Sequence, residues 1–298
     1  MAFLDWPLSN GSLNPEGWLT QEDQLAEHSH RLLGMKIGFL SLVLLVWTHL
    51  REARLWVRRL ARLLVLVVVL QGVLGGARVR LDQMNIFSEG NALAQTFAVL
   101  HACGAQITLC LLVSLAVANS RFWIAAPCGS VNRKTRHWAW AGVCVLFIQL
   151  LLGAVMRHSD AALAIPTFPL TPEGGLFPSR WSFPVAIHFA HRAWALVVVS
   201  VLAHAVAKVF RSFGLISLQG CVALAVCFLM TIQVFLGATV VWSSKNPYSA
   251  TVHMLIGAFL LASVWMLAFL NIRSHFQKSP ACLDISSIST PIHESTAE

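Results

Sequence analysis

Charged side chains are scarce in this sequence. Lys, Arg, Asp and Glu make up 11% of its 298 residues, where soluble domains carry about 25%. That shortage excludes a typical soluble enzyme, and a hydrophobic fraction of 57% excludes a disordered chain. A disulfide scaffold is not indicated either. Cys103, Cys110, Cys128, Cys144, Cys221, Cys227 and Cys282 fall in apolar runs or on the side predicted below to be cytoplasmic. Asp5, Asp23, Asp82, Asp160 and Asp284 are scattered, so no carboxylate cluster is offered to a diphosphate-bound metal, which excludes a prenyltransferase. No flavin or nicotinamide motif is present, and residues 1–30 lack the charged start and apolar core of a signal peptide.

What the sequence has instead is long apolar runs and a mean hydropathy of +0.69. Runs of about 20 apolar residues suit membrane-crossing helices, and short alternating ones would suit a barrel. Seven spans are predicted, at 31–50, 60–77, 92–118, 138–156, 184–207, 215–242 and 251–272. The fold class is therefore all-α, a polytopic membrane helical bundle. Lys and Arg between the spans number 13 on one side, from Arg51 and its neighbours to Lys278, and 5 on the other. The richer side is predicted to be cytoplasmic, which puts the N-terminus of this chain outside and the C-terminus inside. The net charge of +8 is thus a topology signal, and no nucleic-acid partner is predicted.

An internal repeat divides the chain. Gln-x-x-Leu-Gly occurs at Gln71–Gly75, Gln149–Gly153 and Gln233–Gly237, each near the outer end of a span running outward. His30-Arg31 and His191-Arg192 lie 161 residues apart, while Gln71 and Gln233, or Pro7-Leu8 and Pro169-Leu170, lie 162 apart. Two tandem, pseudo-symmetric four-helix halves are read from this. The helix matching span 138–156 would fall before Met1, so the chain is expected to lack the first helix of an eight-helix bundle. Met1 as an internal methionine is the favoured explanation, and loss of that helix is the other.

Four histidines, His30, His101, His191 and His253, stand near the outer ends of inward-running spans, two in each half. Imidazole inside a membrane is costly without a partner, so such residues are functional candidates. Paired histidines on facing helices can hold a haem iron from both sides. The alternative is neutral histidines hydrogen-bonded to the backbone or to one another. Glu27 precedes His30 by three residues and shares its helix face. It either serves chemistry beside the iron or simply complements the helix dipole. His188 occupies the matching place in the second half, either lining the pocket or lying at the interface. Arg31, Arg192, Arg78, Arg80 and Arg157 suit haem propionates through paired guanidinium hydrogen bonds, with interfacial snorkelling as the alternative. Gly72, Gly75, Gly76, Gly153 and Gly237 let a helix or a flat macrocycle approach the backbone closely.

Glu27-x-x-His30-Arg31, Gln71-Gly72-x-x-Gly75, His101 with Ala105-Gln106, Gln149-x-x-x-Gly153, His191-Arg192, Gln233-x-x-x-Gly237 and His253, with Asp5-Trp6-Pro7-Leu8, together resemble the haem A synthase family over about residues 3–272. The resemblance implies oxidation of a ring methyl of haem O to the formyl group of haem A, in the plasma membrane, for terminal oxidase biogenesis. It implies an N-terminal half (1–119) that takes the substrate haem, a cytoplasmic linker (120–137), a C-terminal half (138–273) that holds haem b, and a disordered cytoplasmic tail (274–298). His30 and His101 would face the haem O iron with Glu27 as the acidic residue, and His191 and His253 would ligate haem b. A haem O synthase and terminal oxidase assembly factors are the implied partners, in membrane lipid, with an unspecified electron donor. Many members carry a Cys pair flanking the outer Pro-Asp-Trp-Pro-Leu stretch, and here those positions are Phe3 and Ser9, then Ile165 and Thr171. A non-catalytic di-haem b-type electron carrier, or a haem-binding assembly factor, fits the four histidines equally well. Glu27, present in one half only, argues for the enzyme.

Overall fold

The computed structural model describes residues 3, 5–84, 92–125 and 132–273, with the backbone alone at 82–84. These residues form helices α1 (Glu22–Arg51), α2 (Leu55–Met84), α3 (Ala92–Ala118), α4 (Arg121–Ala125), α5 (Arg133–His158), α6 (Phe183–Phe213), α7 (Leu218–Trp242) and α8 (Pro247–Leu270). A single 3-10 turn, Ala161–Leu163, follows α5, and no strand occurs among the described residues. All helices except α4 are long and apolar enough to cross a membrane, so this is a multi-pass helical membrane protein. Even α8, with 24 residues, measures about 36 Å at about 1.5 Å per residue, more than the hydrocarbon core needs.

α1, α2, α5 and α6 extend beyond the predicted spans, because hydropathy marks only the apolar part of a helix, while α3 matches its span, α7 begins three residues later than predicted and α8 is shifted toward the N-terminus. α1 begins at Glu22, not 31, so Glu27 and His30 both belong to it. Between α1 and α2 only Glu52–Arg54 remains as a connection, and Arg58, Arg59 and Arg62 stand on the first turns of α2. The predicted linker contributes α4 and the first turn of α5. Cys128, His275, Lys278, Cys282, Asp284, His293 and the whole predicted tail 274–298 lie outside the described residues.

Several ends are set by local chemistry. The side chains of Asn132, Ser217 and Asn246 cap α5, α7 and α8 by accepting the backbone N–H of Lys134, Gly220 and Tyr248. Gly214 ends α6 at φ 73°, a left-handed conformation that suits glycine.

α5 packs on α6, α7 on α8 and α2 on α3, while α1 rests mainly on α2. The two halves meet where α3 lies against α5 and α8, and Trp265 Nε1 donates to Ser114 Oγ across that seam at 2.8 Å. One core cluster joins Val143, Leu202, Leu261 and Val264 of α5, α6 and α8. A methyl group on Gly142 would fall 2.9 Å from Leu202 Cδ2, so the glycine permits that close approach. At the other end, fully buried Trp123 stacks on Phe269 at 4.9 Å. There Arg273 Nε donates to Trp123 O and Arg54 Nη1 to Ala118 O, at 2.7 and 2.8 Å.

Candidate functional site

Two short straps, residues 3–9 and 165–171, lie over the ends of α1 and α6 that carry the histidines. Each contains a cis X-Pro bond, Trp6–Pro7 in one and Phe168–Pro169 in the other. Loop carbonyls without helix or strand partners need donors, and an arginine supplies them in each half. Arg31 donates to the carbonyls of Phe3, Asp5 and Leu8. Arg192 donates to those of Ile165 and Thr167, at 2.9 and 2.7 Å. Phe3 and Ile165, like Asp5 and Thr167, are repeat equivalents, so the same contacts recur in both halves. The residue four positions earlier completes each clamp: Glu27 Oε1 meets Arg31 Nη2 at 2.6 Å, and His188 Nε2 accepts from Arg192 Nε at 3.0 Å.

The sequence reading assigned Arg31 and Arg192 to haem propionates. The structure commits most of the Arg31 donors, and much of Arg192, to strap carbonyls instead. Two further histidines, His28 and His188, are buried strap anchors. His28 Nδ1 pairs with Ser9 Oγ at 2.9 Å and packs edge-on against Phe3 and Trp18. His188 Nδ1 lies 3.2 Å from the backbone N of Ile165, so the ring bridges the strap and Arg192, a neutral imidazole accepting at one of its two nitrogens. Phe3, Ser9, Ile165 and Thr171, equivalent in pairs by the repeat, are all buried. Burial pushes the Asp5 carboxyl up, but N–H bonds from Gly11 and Asn10 outweigh it and hold the group below the usual carboxylate range.

Beneath the straps stand the four histidines. His30 of α1 and His101 of α3 face each other edge to face, with ring centroids 6.0 Å apart. His191 of α6 and His253 of α8 are neighbours in the second half. His30 is exposed, because α1 has little described structure beyond α2 to cover it, while the other three are partly buried. Among the described residues no three His, Cys, Asp or Glu side chains gather as a metal site.

Three histidines rest on a glycine. A methyl group on Gly75 would come 3.3 Å from His101 Cε1, one on Gly153 3.1 Å from His191 Cε1, and one on Gly237 3.3 Å from His253 Cε1. The glycines of the repeat motif thus make room for imidazole rings. Gly76 makes room for the Trp6 indole of the first strap, 2.7 Å from where its Cβ would be, while Gly72 has nothing within 4 Å. The glutamines of the same motif also point at the histidines. Gln149 Nε2 lies 3.2 and 3.3 Å from the two ring nitrogens of His191. Gln233 Nε2 lies 3.3 Å from His253 Nε2. Sequence reasoning singled out these glutamines as repeat markers and gave them no task. Their shared position, four residues before a glycine, was the available signal.

Arg78, Arg157 and His158 cluster electrostatically near His101, between the two halves. Arg157 Nη1 approaches Met254 Sδ at 2.6 Å, next to His253.

Comparison with known proteins places this arrangement. The model of the COX15-CtaA family, described as cytochrome oxidase assembly protein, matches residues 18–265. A heme A synthase of Geobacillus kaustophilus is 28% identical over 274 residues, which is 90% of this chain and 81% of that protein. The heme A synthase of Alkalihalophilus pseudofirmus is 25% identical over 281 residues, covering 91% and 87% of the two chains. One from Listeria monocytogenes is 28% identical over 272 residues, covering 90% and 85%.

Proposed function

The chain belongs to the cytochrome oxidase assembly protein family, and from that premise we propose that it is a haem A synthase of the plasma membrane. Its substrate is haem O, one ring methyl of which is oxidised to the formyl group of haem A by an oxidant external to the chain. The observation that carries this reading is the doubled site whose two clamps differ chemically. Both halves place two histidines beneath an arginine-held strap, and only the first sets a carboxylate, Glu27, in the clamp.

The residues present suit porphyrin-bound iron. His101 and His253 each keep a buried Nδ1 without a hydrogen-bond partner. Gly75, Gly153 and Gly237 hold ring-sized space open beside the imidazoles. Histidines offered in pairs match an iron whose other four positions belong to the macrocycle. The N-terminal half, 1–119, takes the substrate haem between His30 and His101. The C-terminal half, 138–273, holds haem b between His191 and His253, joined through the cytoplasmic linker 120–137. A bound haem b supplies one-electron transfer.

The chain's own residues bind, orient and shield. Arg78 and Arg157 offer guanidinium donors to propionates at the outer end. Arg31 and Arg192 fix the straps that close each pocket toward the outside. Glu27, hydrogen-bonded to Arg31, is the nearby group able to hold or release a proton, and the arginine keeps it oriented. The N-terminus of this chain is outside and its C-terminus cytoplasmic, and haem O synthase and terminal oxidase assembly factors are the partners that would supply substrate and take product.

The test is expression in a host that makes haem O and no haem A, followed by extraction and chromatography of the haems. Haem A is expected with the unaltered chain and not with Glu27→Gln, which should still carry haem b. Haem b without haem A from the unaltered chain would favour an electron carrier or assembly factor instead. His191→Ala or His253→Ala should lose haem b, and retention would refute those ligands.

A further inference from the structure

Between Arg31 and Arg51, α1 carries one Lys, Arg, Asp or Glu, and that is Lys36. It stands about 7.5 Å along the axis from Arg31 and about 22 Å from Arg51. The two arginines are about 30 Å apart, the thickness of the hydrocarbon core, so Lys36 is a cation placed inside the membrane. Leu45, two and a half turns further on, packs against the core that includes Val57, Ala61 and Leu64 of α2. Lys36 therefore projects from the opposite side of α1, and it is exposed. Among the described residues it has no hydrogen bond and no ion pair. Charged groups within a membrane almost always turn to a bundle interior or to a partner, and this one turns outward.

The repeat supplies a comparison. The offset that matches His30 with His191 matches Lys36 with Val197. Val197 is also exposed, at 39%, so the same face of α6 is an ordinary apolar one. The cation is peculiar to α1. It also stands in a stripe. Leu33, Lys36, Leu40, Val43, Trp47 and Leu50 follow one another at steps of three and four residues, the spacing of a helix–helix seam. The five apolar members are 47% to 74% exposed. In an apolar helix every stripe is apolar, and the single cation distinguishes this one. One polar residue in such a seam selects partner and register.

Whatever covers the stripe must bring an anion, and this chain has none to give. No Asp or Glu occurs within 28–51, 53–81, 90–159 or 174–283. Glu27 lies about 13.5 Å nearer the straps and is paired with Arg31 at 2.6 Å. A second copy therefore does not supply the carboxylate. We propose that this stripe of α1 docks a membrane-spanning helix of a different protein, one that presents an Asp or Glu side chain level with Lys36. Ammonium and carboxylate form a charge-assisted hydrogen bond, and the large side chains of the stripe pack along the partner helix. A helix without the acid leaves the cation unpaired in apolar surroundings, so the pair discriminates among partners. The contact is independent of the haem chemistry beneath the straps.

The test uses the purified full-length chain, reconstituted in phosphatidylcholine vesicles and labelled as an energy-transfer donor. The probe is a synthetic Leu- and Ala-rich peptide of about 21 residues, long enough to span, with one Glu about 7.5 Å inside one end and an acceptor dye. A second peptide carries Gln at that place. The Glu peptide should associate, and the Gln peptide on the order of 5- to 30-fold more weakly, the range for one polar pair in a membrane. Lys36→Val, which copies the twin position, should reduce binding of the Glu peptide to the Gln level. Lys36→Glu should reverse the preference, toward a peptide with Lys in place of Glu. In the native membrane, dicyclohexylcarbodiimide, an apolar coupling reagent, should join Lys36 to a carboxylate in an apolar segment of another protein, located by mass spectrometry of the linked peptides. Equal association of the Glu and Gln peptides, unchanged by Lys36→Val, would overturn the proposal and show the ammonium reaching headgroup phosphates instead. A link from Lys36 to a second copy of this chain would overturn it in favour of self-association. The two peptides are compared on the unaltered chain, so the test stands even if Lys36→Glu fails to fold.

Discussion

Alanine substitution of the motif glycines tests whether the rings need the space that the structure gives them. In Gly153→Ala the new methyl would sit 3.1 Å from His191 Cε1 and 3.5 Å from Nδ1. Carbon atoms in optimal contact lie about 3.5–4.0 Å apart, so ring and helix must separate by about 0.4–0.9 Å. Built sites tolerate about 0.5 Å of misplacement, and overpacking of this kind costs about 1–3 kcal/mol. If the cost falls on the ligand-bound state, haem b affinity drops on the order of 5- to 150-fold, since about 1.4 kcal/mol is a factor of ten. Gly237→Ala, with a contact of 3.3 Å to His253 Cε1, should show a smaller loss in the same direction. Gly72→Ala is the control, because nothing lies within 4 Å of its Cβ and alanine gains about 1 kcal/mol of helix propensity over glycine. Haem-to-protein ratios from absorbance, with helicity measured in parallel, provide the assay. Normal haem content in Gly153→Ala, or equal losses in Gly72→Ala, would refute the argument that these glycines exist for the histidine rings.

Two further predictions concern the straps and the inner side. Arg192→Leu removes donors to Ile165 O, Thr167 O and His188 Nε2, a loss on the order of 3 kcal/mol. The amide of Ile165 should then exchange hydrogen faster by mass spectrometry, with α6 remaining protected; unchanged exchange would show the strap held by other means. At the α1–α2 connection, hydrogen bonding to Arg54 holds the Glu52 carboxyl at about 2, against an ordinary value near 4.5. Its folded-state value is depressed, so its contribution is complete above pH about 4.5 and is lost as pH falls toward about 2. The contribution is on the order of 2–3 kcal/mol. Thermal unfolding of Glu52→Gln should lose less stability across that window than the unaltered chain, and parallel losses would count against the pair.

The spans, the histidines and the glycine spacing were legible in the sequence because each follows a short-range rule. An apolar run of fixed length marks a helix, and a repeat offset pairs its landmarks. The tasks of Arg31, Arg192, His28 and His188 were not legible. Their strap partners lie 19 to 28 residues away and are mostly main-chain groups, which every residue possesses and no motif reports. The glutamines were visible as a pattern, but their contacts with His191 and His253 cross from one helix to the next. The helix starts at Glu22 and Leu55 were misplaced because polar residues continue a helix past its apolar stretch.

Arg31 and Arg192 grip the straps by backbone oxygens. A loop held in this way is addressed by its shape, and its side chains are left free to drift. Asp5-Trp6 and Thr167-Phe168 already differ completely while occupying equivalent places. The same freedom lets Phe3 and Ser9, or Ile165 and Thr171, fill sites that cysteines could fill, with no sulfur chemistry needed to keep the strap in place. The straps should therefore stay docked in reducing and oxidising surroundings alike, and their side chains remain open to remodelling for whatever must pass above each pocket.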